Sequence, residues 1–438
     1  MCLLLFKNIS FFKFGTLWKD KNRLDVKLMK KAIKIFCIIS FVFCSFVFAS
    51  VYFMSNSVSD NYKINRGDEL RIDSIIPVTA VYNGAKMSQS NSNHLVGDKF
   101  KVDLKIFGVI PFSTVNVEVI DDMYVQVLGN PFGMKIYTDG VLVVEGAEIM
   151  TQNGKANPAQ TAGIKVGDYI KSVNGKIVTC NEDLLQIVTE SGGKSMKFCV
   201  VRDGQEFSCD VQPVLDSDSG LYRIGIWVRD SSAGIGTLTF YSPANDVVCG
   251  LGHGICDSDT ETLLSVNEGE LVEADIISVE KGSAGNPGAL KGKLTYDTIA
   301  DIALNCEQGV YGIMQQNTTS VNLTEVALKQ EVYDGKAQIL CTVNGTSPKL
   351  YSCEIKRYNS NDSLTQNLVV TITDAELINA TGGIVQGMSG SPILQDGKLV
   401  GALTHVLVDD SKTGYGIYAE NMLETAQSVA NEQLKEAS

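Results

Sequence analysis

Residues Gly387 to Pro392 read Gly-Met-Ser-Gly-Ser-Pro and run straight into a hydrophobic hairpin that turns at Asp396-Gly397. A serine hydroxyl is a weak nucleophile unless a base takes its proton and backbone N–H groups receive the oxyanion. Glycines around Ser389 permit a tight turn that aims the Gly387 and Ser389 amides at one spot, a candidate oxyanion hole. Taken alone, the hexapeptide reads as readily as an ordinary Gly/Ser turn before a strand. What it excludes is more definite. An α/β-hydrolase elbow would place Gly-x-Ser-x-Gly between a strand and a helix, whereas Ser389 leads into strands. From residue 219 to the C-terminus, short runs such as Gly236–Phe240, Gln338–Val343 and Leu368–Ile372 are broken by Gly, Asn and Asp. Closely spaced, turn-separated strands predict an all-β barrel architecture.

A general base has few candidates, because the chain has three histidines, at 94, 253 and 405. His253 lies in Gly250-Leu251-Gly252-His253-Gly254-Ile255, after an apolar strand-like stretch and upstream of Ser389, the chain order of trypsin-like enzymes. His405 ends the strand after the hairpin and is a candidate for the substrate pocket. His94 falls in a polar neighbourhood and reads as a solvated loop residue. The orienting acid stays open on residues alone: Asp374 lies fifteen positions before Ser389, while Asp257 and Asp259 lie near His253. Cys249 and Cys256 bracket His253, but the spacing is looser than Cys-x2-4-Cys and further ligands are missing, so no metal is expected.

Residues 129–213 carry a second pattern. Pro131-Phe132-Gly133-Met134 resembles the Gly-Φ-Gly-Φ loop of PDZ domains, which makes Phe132, Gly133 and Met134 the expected peptide-binding loop. Asn157-Pro158-Ala159, Ala162-Gly163-Ile164, Val166-Gly167-Asp168-Tyr169-Ile170 and Val173-Asn174-Gly175 follow in PDZ order. Such domains take extended peptides by strand addition.

Charge divides the chain. Residues 1–34 hold nine Lys/Arg against Asp20 and Asp25, whereas residues from 55 onward hold 28 basic against 48 acidic side chains. An acidic globular part argues against nucleic-acid binding. Between these lies Ile35–Met54, free of charge and long enough to span a ~30 Å hydrocarbon core. Lys30, Lys31 and Lys34 precede it, so 1–34 is expected to be cytoplasmic and the remainder exported on a single-pass anchor. A cleaved signal at Phe48-Ala49-Ser50 is the competing expectation. Residues 55–128, with period-two runs such as Phe100–Ile106, read as a tether and a small β-rich segment.

Together these landmarks resemble the SpoIVB peptidase family, the stage IV sporulation serine proteases of endospore-forming bacteria. The residues carrying the resemblance are Gly250–Ile255, Thr381–Pro392, Gly401–Val406 and Gly414–Ile417. It implies a mostly β fold: a trypsin-like double β-barrel serine protease domain over 219–438, preceded by a PDZ domain over 129–213 and a membrane anchor. It also implies a His253 base, a Ser389 nucleophile, Asp374 as the acid and no cofactor. The implied partner is a peptide or membrane protein, a regulator of an intramembrane metalloprotease. Its cleavage between forespore and mother cell would trigger maturation of a sporulation sigma factor. Two other readings compete: a non-enzymatic PDZ scaffold on a protease-like barrel, and a general envelope quality-control protease, where the PDZ usually follows the protease.

Overall fold

The computed structural model describes residues 15–436 apart from 71, 73, 75, 88–93, 315–321 and 359–362, so part of the basic 1–34 segment and the polar stretch before His94 lie outside the described residues. The chain divides after Asp121 into two compact units. In the first, α1 (Gly15–Ser57) contains Ile33–Met54, 22 residues of mean hydropathy 2.4, long and apolar enough to cross a membrane. It is followed by β1 (Asn61–Asn65), β2 (Val78–Tyr82), β3 (Ala85–Lys86), β4 (Lys99–Ile106) and β5 (Ile110–Ile120), one sheet in the order β1-β5-β4-β2-β3. Alternation puts Val102 and Leu104 inside against Val115, Val117 and Val119. His94 is not a solvated loop residue: its ring stacks on Phe100 at 4.2 Å between centroids.

The second unit opens with β6 (Tyr124–Val127) and β7 (Pro131–Gly146). A hairpin β8 (Ile149–Thr151) and β9 (Gly154–Ala156) leads to α2 (Pro158–Thr161), capped by Asn157. Next come β10 (Tyr169–Val173), β11 (Lys176–Ile177), α3 (Asn181–Glu190), β12 (Met196–Arg202), β13 (Gln205–Val211), β14 (Val214–Leu215) and β15 (Tyr222–Arg223). These elements form the PDZ unit, whose core gathers Val141, Ile170, Leu184, Val188, Phe198 and Val200. Its Asp168 is buried and paired with Arg202 at 2.6 Å, so the Gly-Asp turn read in the sequence is an anchored ion pair.

The chain then continues through β16 (Ile226–Ser242), β17 (Val247–Gly250), β18 (Val266–Glu280), β19 (Ala289–Cys306), β20 (Gly309–Met314) and β21 (Leu323–Glu325). The order β7-β18-β19-β20-β17-β16 closes because β16 pairs back onto β7, giving a six-stranded barrel. The final elements are β22 (Gly335–Cys341), β23 (Lys349–Arg357), β24 (Leu368–Ile372), α4 (Ala375–Thr381), β25 (Pro392–Gln395), β26 (Lys398–Leu407), β27 (Asp410–Tyr418) and α5 (Ala419–Glu436). The strands among them form a second closed barrel, β22-β23-β24-β27-β26-β25. Period two is clear in β23, where Tyr351, Cys353 and Ile355 point inward and their neighbours outward. Met422, Leu423, Ala426 and Val429 of α5 pack on Phe240 and Tyr311 of the first barrel and on Leu399, Ala402 and Ile417 of the second. The fold is therefore mostly β, a double barrel with a PDZ unit.

The expected linear order of PDZ then protease gives way to interleaving. Residues Pro131–Thr138 of β7 are a strand of the first barrel, paired with β16 on one edge and β18 on the other. Beyond the turn at Asp139-Gly140, the same strand pairs through Val141 and Leu142 with β10 of the PDZ unit. The PDZ unit thus sits between two halves of one barrel, and no break falls at residue 129. Phe132 is fully buried, next to Leu238, Val248 and Leu271. Phe132→Ala should therefore lower unfolding stability by about 3–5 kcal/mol, read from denaturant midpoints.

Candidate active site

The nucleophile turn links α4 to β25. Met388 is fully buried in the second-barrel core and pins the turn from below. Gly390 has φ +92°, and a Cβ there would lie 1.9 Å from Thr237 O, so only glycine lets the turn seat against β16. β16 then holds it with three hydrogen bonds. Thr237 N–H donates to Ser389 O at 2.9 Å, Thr237 Oγ1 to Gly387 O at 2.9 Å, and Thr239 Oγ1 to Gly390 O at 2.8 Å. Met388 N–H is spent on Val385 O and Gly390 N–H on Leu403 O, whereas the Gly387 and Ser389 N–H groups have no acceptor among the described residues. Ser389 Oγ donates to Thr404 O at 2.7 Å.

His253 follows β17 on a loop tied to the same strand residue, since Leu251 N–H donates to Thr237 O at 3.3 Å. Leu251 has φ +67°, a conformation disfavoured for a bulky side chain, and is held there by burial against Phe132 and Leu238. His253 Nδ1 lies 2.9 Å from Gly254 O. A carbonyl only accepts, so Nδ1 carries the proton and Nε2 keeps its lone pair. Burial lowers the His253 pKa, outweighing the Gly254 bond. The His405 ring sits 4.5 Å from the His253 ring, tilted by 33°; burial and then the neighbouring imidazole lower its pKa to about 4.

The sequence candidates for the acid are all committed elsewhere. Asp374 is the N-cap of α4: it accepts from the Glu376 and Leu377 amides at 2.9 and 3.2 Å and from Ser352 N–H at 3.2 Å. The Ser352 amide leads the causes that lower its pKa. It makes no hydrogen bond to His253, a departure from the expected triad whose reason is local: a carboxylate just before a helix saturates on the first-turn amides. Asp257 is buried and ion-paired with Arg229, which also pairs with the exposed Asp259 at 2.6 Å. Burial raises the Asp257 pKa, but the Thr260 and Asp259 amides and Arg229 overcome it and lower the pKa overall. Cys249 is in the barrel core, Cys256 is exposed, and both are free thiols.

Phe132, Gly133 and Met134 do not form a peptide-binding loop. They pair with Gly236, Ile235 and Gly234 on one edge and with Glu273, Val272 and Leu271 on the other, which leaves no free edge. The Φ-Gly-Φ element of the PDZ unit is Ile224-Gly225-Ile226 instead. Gly225 has φ +81° there, and its carbonyl accepts from Ala147 N–H. The following Ile226–Arg229 pair with β7 on one edge and with no strand on the other among the described residues. Ile226 and Val228 pack on the core containing Leu184 and Val188 of α3. The signal was present as Ile-Gly-Ile, but it follows the last PDZ hairpin and reads as the start of the protease.

With this geometry in place, the comparisons with known proteins are specific. Residues 220–423 match the model for SpoIVB peptidase S55. Over that stretch the chain is similar to the SpoIVB peptidase family. A 76-residue stretch is 36% identical to the Regulator of sigma-W protease RasP of Bacillus subtilis strain 168, covering 17% of each chain. The chain spans about a fifth or less of the length of the curated relatives it matches. Among solved structures, the PDZ domain of an SdrC-like protein from Listeria monocytogenes is 20% identical, covering 20% of this chain and 87% of that one, with a TM-score of 0.17. The inactive Ser343Ala form of Rv3671c from M. tuberculosis H37Rv is 15% identical, covering 46% of this chain and 83% of that one, with a TM-score of 0.26.

Asp374→Asn in the SpoIVB-type domain should act on the helix cap. We expect a stability loss of about 0.5–2 kcal/mol, with turnover of the folded enzyme within a few-fold of wild type. A kcat reduced by orders of magnitude at unchanged stability would return Asp374 to the catalytic centre.

Proposed function

We propose that this protein is a membrane-anchored SpoIVB-type endopeptidase in which Ser389 attacks and His253 shuttles the proton. The observation that carries this reading is Thr237. Its N–H bonds the Ser389 carbonyl and its own carbonyl accepts from Leu251, so one residue ties the nucleophile turn to the base loop. In the resting arrangement Ser389 Oγ is bonded to Thr404 O; rotation about χ1 transfers that proton donor toward His253 Nε2. Attack forms the Oγ–C bond, moves the proton to Nε2 and pushes the carbonyl pair onto oxygen, where the free Gly387 and Ser389 amides receive it. Collapse breaks the C–N bond and Nε2 gives its proton to the leaving amine. Water, deprotonated by the same nitrogen, then attacks the acyl carbon; collapse breaks the Oγ–C bond and Nε2 returns its proton to Ser389 Oγ.

α1 would hold the enzyme at a membrane with both barrels on the exported side. The substrate would be an extended segment of a membrane-associated regulator in the space between forespore and mother cell, and its cleavage would trigger intramembrane processing of a sporulation sigma factor. The family match and the segment shared with a sigma-W protease regulator support that setting. The open edge at Ile226–Arg229, beside α3, would take a peptide by strand addition.

Ser389→Ala should lose peptide cleavage by about 10⁴-fold or more and should not react with a fluorophosphonate probe, which marks Ser389 in the wild type. Full cleavage by the alanine variant would end the proposal. The base works only when neutral, and burial holds its pKa below the ordinary 6.5. Thus kcat/KM should be level near pH 7 and fall only as pH drops through a value below 6.5. An acid limb above 6.5 would contradict the buried, carboxylate-free setting of His253.

A further inference from the structure

Among the described residues, eight other than glycine hold a positive φ. Six of them are Asn, Asp or Glu; the two bulky apolar ones are Leu251 and Phe107. Burial supports Leu251, but Phe107 is 67% exposed. Phe107 (φ +51°) and Gly108 (φ +71°) form the tip of the β4–β5 hairpin, where Val109 N–H donates to Ile106 O at 3.1 Å. A turn with both central residues left-handed favours Asn-Gly, so phenylalanine adds strain there without the burial that would offset it. Val109 beside it is 76% exposed, and Ile110 and Pro111 are also exposed. So is Pro77, whose carbonyl accepts from Phe107 N–H at 2.9 Å. Residues 104–117 hold no carboxylate, and Lys105, paired with Pro111, puts a cation at the border of the tip. An apolar tip of this kind is a contact surface.

Its position in the first unit says for what. β1 pairs with β5 in parallel, Asn61 opposite Asn116, so the Ile110 end of β5 lies on the side from which α1 enters the sheet. Met54, at the end of the apolar stretch, is buried, and α1 lies against β5. Ile110 precedes Asn116 by six residues, about 20 Å of strand. Met54 precedes Asn61 by seven, three of them helical, a reach of about 18 Å at most. On these lengths the tip reaches back as far as the end of the apolar helix. Leu95 is 62% exposed at the opposite end of the sheet, next to Gly97, whose N–H donates to Val119 O at 2.8 Å.

We propose that the β4–β5 hairpin tip, Phe107 to Pro111, is a second membrane contact that dips into the lipid interface beside α1. Phe107, Val109 and Ile110 enter the boundary between headgroups and acyl chains, to a depth of about 5–10 Å. Lys105 stays at headgroup level, where anionic lipids attract it. The inference rests on reading α1 as a membrane anchor and adds a second point of attachment, which stops the sheet of the first unit from swinging about the end of the helix.

The test places a tryptophan reporter in the full chain, reconstituted into vesicles of phosphatidylethanolamine and phosphatidylglycerol with brominated acyl chains. Val109→Trp reads the tip and Leu95→Trp the far end, each against the unsubstituted chain, whose own tryptophans are Trp18 and Trp227. Failure of the unsubstituted chain to float with the vesicles after alkaline extraction would strike the anchor reading itself rather than the tip. With flotation established, Val109→Trp emission should shift to the blue. Bromines high on the acyl chain should quench it more than bromines near the terminal methyl, while Leu95→Trp stays unquenched. Adding Phe107→Asp to Val109→Trp should remove most of the quenching without releasing the chain from the vesicles. Two results overturn the proposal: a tip reporter quenched no more than the one at Leu95, or quenching that survives Phe107→Asp undiminished. The second would mean that the tip is merely carried near the lipid by α1.

Discussion

The antiparallel pairing of β7 with β16 is the interaction on which the rest of the molecule depends. It runs from Pro131↔Thr237 to Gly146↔Ile226. One half closes the first barrel and the other forms the sheet of the PDZ unit. At its barrel end, Thr237 and Thr239 are essentially inaccessible to solvent, and both bond the nucleophile turn. Buried hydroxyls without partners would be costly. The strand and the turn therefore satisfy each other, and displacement of either exposes unpaired polar groups on both. A single covalent strand thus connects the open peptide edge at Ile226–Arg229 with the carbonyls of Gly387, Ser389 and Gly390.

Arg229 adds a second tie between these parts. It lies on β16 at the PDZ end, yet its guanidinium binds Asp257 and Asp259, only a few residues beyond His253. Asp257 is buried, so removing Arg229 would leave a carboxylate supported by the Asp259 and Thr260 amides and the Thr260 hydroxyl, with no cation. The base loop is consequently braced from the PDZ side by an ion pair and from the barrel side by Thr237. The two imidazoles between these braces are uncharged near neutrality, which suits a base that must accept a proton.

Ser389 and His253 were legible in the sequence because glycine-flanked turns carry local instructions that survive without tertiary context. The second barrel was legible for the related reason that period-two burial, as in Tyr351, Cys353 and Ile355, is written residue by residue. Asp374, expected at the site, caps α4 in the structure. Its spacing from Ser389 fits the family pattern, but the first turn of α4 saturates its oxygens. The peptide loop was misplaced because Phe-Gly-Met and Ile-Gly-Ile carry the same local pattern; strand pairing distinguishes them, since one has partners on both edges and the other on one.

By itself, the sequence determined the mostly β character, an apolar segment at Ile35–Met54 and the glycine-flanked turns that carry Ser389 and His253. Each depends on neighbours a few positions apart. Only the tertiary structure decided that the PDZ unit is interleaved with the first barrel, that Ile226–Arg229 keep an open edge, and that His405 rather than Asp374 stands against His253. Those outcomes are set by pairings and close approaches between residues tens to hundreds of positions apart, and such distances leave no periodicity in the chain.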